Sequence, residues 1–210
     1  MPAQPYRKQG LRADAAHNRD RILEAARQAF TAGGIDVPLT AIARRAGVGV
    51  ATLYRRFPTR AALVTEAFSE QLTACVSALD EALADPDPWH GFHTFIEKIC
   101  AMQAADRGFT AAFLTRFPDA IDYDHLRARA ENGLADLIQR AKAAGQLRPD
   151  FTESDVTLLL LANNAMVTES PEESLAASRR LLGYLLPSFR ADRTEPLPPP
   201  APLGLRRLHQ

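Results

Sequence analysis

The chain has 210 residues, of which 46% are hydrophobic and 24% charged, with a formal net charge of zero. That composition excludes disorder throughout, and the length suits one large or two small domains. No apolar run reaches the roughly 18–20 residues that a membrane span needs, and the longest, 156–162, already contains Thr157. The neutrality hides an asymmetry, because residues 1–60 carry 11 Lys/Arg against 4 Asp/Glu (net +7) and residues 61–210 carry 14 against 21 (net −7). A basic first quarter fits a polyanionic partner for that end of the chain. Arg7 and Lys8 precede no apolar stretch, so no secretory leader is expected. The two cysteines, Cys75 and Cys100, sit in apolar helical patterns and fit buried thiols in a reducing cytoplasm.

The pattern is helical almost throughout, without sustained apolar/polar alternation and without an Asn-Gly or Asp-Gly hairpin turn. A first helix carries Ile22, Leu23, Ala26, Ala29 and Phe30 on one stripe, starts near Asp14 or Asn18, and stops at Gly33-Gly34. A short helix over 39–46 carries Ile42, Ala43 and Ala46, and another over 50–57 buries Leu53 and Phe57. Pro58 ends it, and Thr59 can cap a long helix over 60–84 that Asp85-Pro86-Asp87-Pro88 breaks. Further helices are expected at 89–105, 109–116, 124–144, 152–168 and 171–189, with a capping box at Thr152 to Asp155 and a fuller one at Ser170 to Glu173. Five prolines within 196–202 read as an extended tail rather than a packed element.

Two short helices joined by Ala46-Gly47-Val48-Gly49 and preceded by a third describe a helix-turn-helix. Ile42, Val48, Leu53 and Phe57 would hold the unit together from inside. Val50, Ala51, Thr52, Tyr54, Arg55 and Arg56 are left for the outer face, with small side chains first, near base edges, and the tyrosine and arginines following where phosphates run.

The stretch 18–63, and 41–63 above all, resembles the DNA-binding domain of TetR-family transcriptional regulators. The matching residues are Ile42-Ala43, Ala46-Gly47-Val48, Thr52-Leu53-Tyr54, Phe57, Arg60 and Leu63. One departure is Gly49, where a serine or threonine often caps the recognition helix; glycine costs only a few tenths of a kcal/mol there. The resemblance implies an all-α protein with a helix-turn-helix domain at 1–60 and a ligand-binding and dimerisation domain at 61–190; the proline-rich composition leaves the tail at 191–210. It also implies contact with operator DNA. Val50, Ala51 and Thr52 are expected to read bases, and Tyr54 and Arg60 to contact phosphate. Thr40, Arg44, Arg45, Arg55 and Arg56 complete the expected set, with at least one of Arg44 and Arg45 merely solvating its face.

By the same resemblance, a small-molecule effector binds between the helices of the second domain, tilts the long helix after Thr59 and alters the spacing of two recognition helices. The sequence offers Trp89, Phe92, His93, Ile96, Met102, Phe113, Phe117, Leu126 and Asn163 as candidate pocket residues, although an aromatic stripe at helical spacing also describes plain core. Dimerisation is expected on the last two helices, through Leu159, Leu175, Leu182, Leu185, Leu186 and Phe189. His90 and His93, or Asp122, Asp124 and His125, read better as exposed helix ends than as metal ligands. No cofactor is expected. Gly47-Val48-Gly49 lacks the strand and lysine of a phosphate loop, and Gly-x-Ser-x-Gly is missing, so the reading is not enzymatic. The rival reading is a DNA-binding or architectural protein that needs no ligand and uses its helical domain for dimerisation alone.

Overall fold

The computed structural model describes residues 6–106, 121–166, 168, 170–192, 195–201 and 203, with side chains from residue 17 onward except at 121–124, 126 and 127. The regular elements are helices: α1 (Tyr6–Gly33), α2 (Leu39–Arg45), α3 (Val50–Arg56), α4 (Arg60–Ala67), α5 (Ser69–Ala84), α6 (Pro88–Ala105), α7 (Ile121–Ala143), α8 (Glu153–Ala165), α9 (Pro171–Leu185) and a 3-10 turn, Leu186–Phe189. The protein is all-α, and among the described residues the β geometry is limited to an isolated antiparallel bridge between Leu147 and Arg190. The helix expected over 109–116 lies outside the described residues.

The chain divides into two compact units, Met1–Ser69 and Glu70–Gln210. The first ends later than the boundary expected at residue 60, because α4 packs back on α1. Its core is Ile22, Ala26, Phe30, Ile42, Leu53, Phe57, Leu63 and Val64, all buried. The helix expected over 60–84 is interrupted at Phe68 (φ −112°, ψ 14°), where neither proline nor glycine marks a break. One long-range and one local interaction account for it. The Phe68 ring is fully buried 6.2 Å from Phe30, and the Ser69 hydroxyl donates to the Glu66 carbonyl at 3.0 Å, competing for a helical acceptor.

In the second unit α9, α7 and α8 pack on α6. The core joins Leu79, Phe92, Ile96, Leu137, Phe151 and Leu159, among others, into one cluster. Asp87 caps α6 by accepting from the Trp89 and His90 amides at 3.0 and 3.3 Å, with Pro88 next in the chain. The capping boxes expected at the starts of α8 and α9 form in part: the Thr152 amide donates to the Asp155 carboxylate at 2.6 Å, and Ser170 accepts from the Glu173 amide. Gly91 lets α6 cross α5 closely, since a Cβ there would lie 2.4 Å from the Ala82 carbonyl oxygen. Burial pushes the Cys75 and Cys100 thiols up to about 11 and about 12, so both stay protonated and act as small apolar fillers.

The expectation of an unpacked tail is corrected for its described part. Arg148 and Asp150 hold the backbone at Glu195 and Leu197, and Arg190 lies 4.8 Å over the Trp89 ring. The segment is extended, as its prolines dictate, yet it is fastened by residues more than forty positions away in sequence.

Candidate nucleic-acid interface

The turn between α2 and α3 works because Gly47 adopts φ +64°, a region that costs other residues roughly 1–2 kcal/mol. The Gly47 and Val48 amides donate to Arg44 and Ala43 at 3.1 and 3.0 Å, which ends α2 and turns the chain. Gly49 then starts α3 in extended geometry without a side-chain cap, its carbonyl accepting from the Thr52 and Leu53 amides at 2.9 and 3.1 Å.

Leu53 is the buried residue of α3, anchored in the core with Phe57 just beyond the helix. The other side chains face outward. Val50 is 40% and Tyr54 47% exposed, Ala51, Arg55 and Arg56 are exposed, and Thr52 is half-buried. Arg55 donates to the Thr52 hydroxyl at 2.9 Å, which orients both groups and leaves the hydroxyl hydrogen to donate elsewhere. Asn18 and Ile22 of α1 join Thr52, Arg55 and Arg56 around an open cleft of about 290 Å³.

On α2, Thr40, Arg44 and Arg45 are all exposed. Arg45 is braced from α1: its Nε donates to Gln28 at 3.1 Å, and Gln28 donates to Glu24 at 2.7 Å. Sequence reasoning missed Gln28, because nothing in local spacing relates residues 17 positions apart. Arg44, Arg45, Arg55 and Arg56 all occupy last helical turns, where the helix dipoles favour cations.

Arg60 departs from the expectation. Its Nη1 donates to the carbonyls of Ile35 and, at 2.7 Å, Val37. The guanidinium thus closes the loop between α1 and α2 instead of turning wholly outward to phosphate.

Among the described residues, the candidate pocket side chains of the second unit fall into core, half-buried and self-paired positions. Phe92 and Ile96 are fully buried core, and Phe92 meets Phe151 edge-on at 5.5 Å. Trp89 and Met102 are half-buried, Trp89 beneath the Arg190 guanidinium. His93 turns to Glu97, 3.3 Å away on the next helical turn. Asn163 is fully buried and fully occupied: its amide nitrogen donates to the Cys100 carbonyl at 3.1 Å and to Gln103 at 2.7 Å, and its oxygen accepts from Ser178 at 2.6 Å. Gln103 in turn donates to the Leu160 carbonyl at 3.0 Å. These contacts tie α6, α8 and α9 together, so the expectation of Asn163 as a ligand group gives way to a structural role. Phe113 and Phe117, and the side chain of Leu126, lie outside the described residues.

Three of the six expected dimerisation residues are corrected as well. Leu159, Leu182 and Leu186 are 2%, 4% and 2% exposed, buried in their own chain's core. Leu185 and Phe189 pack half-buried on that core, and Leu175 lines a groove between α6 and α9. Among the described residues, neighbouring apolar side chains are exposed: Leu158 (53%) and Leu161 (38%) on α8, Met166 (39%) at its C-cap, and Tyr184 (64%) on α9.

A three-helix unit that turns small, aromatic and cationic side chains outward, followed by a separate helical bundle, defines a helix-turn-helix DNA-binding regulator. Residues 22–67 match the family described as bacterial regulatory proteins, tetR family, and residues 87–186 match the C-terminal domain described as transcriptional regulator SbtR-like. Among solved structures, a TetR transcriptional regulator from Streptomyces coelicolor is 30% identical with a TM-score of 0.51, the match covering 82% of this chain and 98% of that one. The TetR-family regulator PfmR from Thermus thermophilus is 25% identical over 80% and 95% of the two chains, with a TM-score of 0.57. The regulator FadR from Bacillus subtilis, solved with stearoyl-CoA, shares the fold at 17% identity and a TM-score of 0.51, over 80% of this chain and 97% of that one. No sequence among the curated proteins matches. The chain belongs to the TetR family of transcriptional regulators.

Proposed function

We propose that the protein is a homodimeric repressor that leaves its operator when a small molecule binds the second unit. The observation that carries the DNA-binding half is α3 itself, which commits Leu53 to the core and turns the rest of its length outward. Val50, Ala51 and Thr52 are the base readers, since Val50 and Ala51 can touch thymine methyl groups and the Thr52 hydroxyl can donate to a base or phosphate. Tyr54, Arg44, Arg45, Arg55 and Arg56 meet phosphate, with Thr40 at the start of α2. Arg60 serves chiefly to position the loop that precedes α2.

One helix-turn-helix reads only a few base pairs, and two half-sites lie about 34–36 Å apart or a multiple of that, which calls for two copies. The uncovered residues Leu158, Leu161, Met166 and Tyr184 supply the surface on which a second copy docks. The effector reading is supported by the family and by the ligand that the Bacillus subtilis relative holds.

The test is operator selection followed by release. The parent protein is expected to enrich a two-fold-symmetric sequence, and a Val50→Lys variant a different one. An unchanged preference in that variant would remove Val50 from base readout. Compounds that raise the melting temperature are then added to the protein–operator complex. If every stabilising compound leaves DNA binding intact, the protein is a ligand-independent DNA binder.

A further inference from the structure

The proline-rich segment is fastened by one cation and one carboxylate. The Arg148 side chain is 6% exposed. Its Nε and Nη2 donate to Asp150 at 2.5 and 2.9 Å, its Nη1 to the Ser188 carbonyl at 3.2 Å, and Nη2 also to the Glu195 carbonyl at 2.6 Å. Asp150 then accepts from the Leu197 amide at 2.9 Å. The main chain adds bonds from the Arg148 amide to Phe189 and from the Ala191 amide to Gln146, both at 3.0 Å. The Arg148 guanidinium holds the Asp150 carboxyl down at about 2, so the clasp stays charged across the physiological range.

The clasp dictates where Leu197 stands. Its amide is tied to Asp150, yet the residue is 41% exposed, a large apolar side chain fixed in solvent. Pro196, Leu197 and Pro198 line an open cleft of about 790 Å³ together with Tyr184 and Pro187. Tyr184 is oriented in turn, accepting from Arg180 at 2.8 Å with that guanidinium 5.4 Å from its ring centre.

This edge is continuous with the uncovered helix face. Arg148, just before α8, touches Ser188 and Phe189 beyond the end of α9, and Asn163 near the end of α8 touches Ser178 within α9. The two helices are therefore antiparallel. Leu158 and Gly183 each lie five residues from the Asn163–Ser178 tie, about 7.5 Å along in the same direction, so Leu158 and Tyr184 stand at nearly one level. The face also complements itself in charge. Exposed Glu172 and Glu173 open α9, exposed Arg179 and Arg180 follow two turns later, and a two-fold antiparallel pairing sets acid against base twice.

We infer that the C-terminal strap belongs to the surface that receives the second copy. Arg148 and Asp150 present Pro196, Leu197 and Pro198 beside Tyr184, and the interface runs from α8 and α9 onto the strap. This rests on the homodimer proposed above. The experiment compares, by sedimentation equilibrium, the parent with Leu197→Asp, with a chain ending at Asp192, and with Leu158→Arg. Helicity and melting temperature are followed in each. Leu197→Asp and the shortened chain are expected to weaken dimerisation at least tenfold, and Leu197→Asp to do so without loss of helix. If both dimerise as tightly as the parent while Leu158→Arg is monomeric, the strap inference is overturned and the helix-face dimer stands. If Leu158→Arg also stays dimeric, the interface lies on another surface and the strap inference falls with the helix face; if the parent is a monomer, the homodimer reading itself fails. Hydrogen exchange supplies an independent check: Asp150→Ala is expected to speed exchange of the Leu197 amide, and an unchanged rate would show that the clasp does not hold the strap.

Discussion

In the N-terminal unit Arg44, Arg55 and Arg56 face outward from the last turns of α2 and α3, whereas in the C-terminal unit Gln103, Arg148, Asn163 and Ser178 are buried and bound to named partners. The same chemical types therefore serve different ends. An exposed guanidinium adds little to folding stability, because water already solvates it, but it can displace counterions from DNA. A buried amide stabilises the fold only while every partner is present, because each group left unpaired costs about 1–3 kcal/mol. The first unit leaves these guanidiniums in solvent, and the second engages its buried polar groups within its own fold.

The largest expected effect tests the first half of that contrast. Replacing Arg55 and Arg56 together by alanine should lower operator affinity by roughly a hundredfold at physiological salt. The slope of log affinity against log salt should fall by about 2. The melting temperature should stay within a few degrees, since both residues are exposed. Titration by fluorescence anisotropy at several salt concentrations reads both numbers. A large loss of melting temperature instead would mean that these arginines brace the fold, and the contrast would collapse from that side.

Asn163→Leu approaches the contrast from the other side and should be smaller. It leaves the Cys100 carbonyl and Gln103 short of a donor and Ser178 short of an acceptor. The expected destabilisation is about 2 kcal/mol, a melting-temperature drop of several degrees, with operator preference unchanged. Denaturant titration measures it. A variant of parental stability that no longer responded to the effector would return Asn163 to the pocket.

These two cases also show what the sequence could and could not disclose. The helix-turn-helix was legible because its determinants are local: a glycine turn, apolar residues at helical spacing and outward positions fixed by that spacing, all within 41–63. Leu159 and Leu182 carried an equally clear apolar pattern, but a pattern shows that a face is covered and not by which chain. The covering proved to be α6 and its neighbours, and the uncovered residues were Leu158 and Tyr184 beside them. The break at Phe68 was invisible because a long-range ring contact with Phe30 and a serine hydroxyl cause it, with no proline or glycine involved. The loop-closing bonds of Arg60 were hidden for a similar reason, its partners Ile35 and Val37 lying more than twenty residues back. Proline-rich composition foretold an extended tail correctly and its attachment not at all, since Arg148 and Asp150 lie 47 residues from the backbone groups they hold.

The smallest expected effect concerns a polar pair in the second unit that is exposed rather than buried. His90 lies 2.6 Å from Asp85, with side-chain exposures of 66% and 20%. The bond to the Asp85 carboxylate, and then its charge, raise the His90 pKa, and the same bond lowers that of Asp85. Because the folded value of His90 lies above its unfolded value of about 6.5, its stabilising contribution is complete below about pH 6.5 and is lost as pH rises through the folded value. The difference in melting temperature between the parent and His90→Gln should therefore be largest near pH 6, shrink towards pH 8.5, and diminish in high salt. If instead the difference were large and independent of pH and salt, His90 would act as a structural part of the turn before α6. Asp85 also accepts from the Asp87 amide at 2.8 Å, and that bond survives the substitution. Turn and α6 cap should hold, so what disappears is the charge on one exposed ring, which by the logic of the first unit weighs little on the fold.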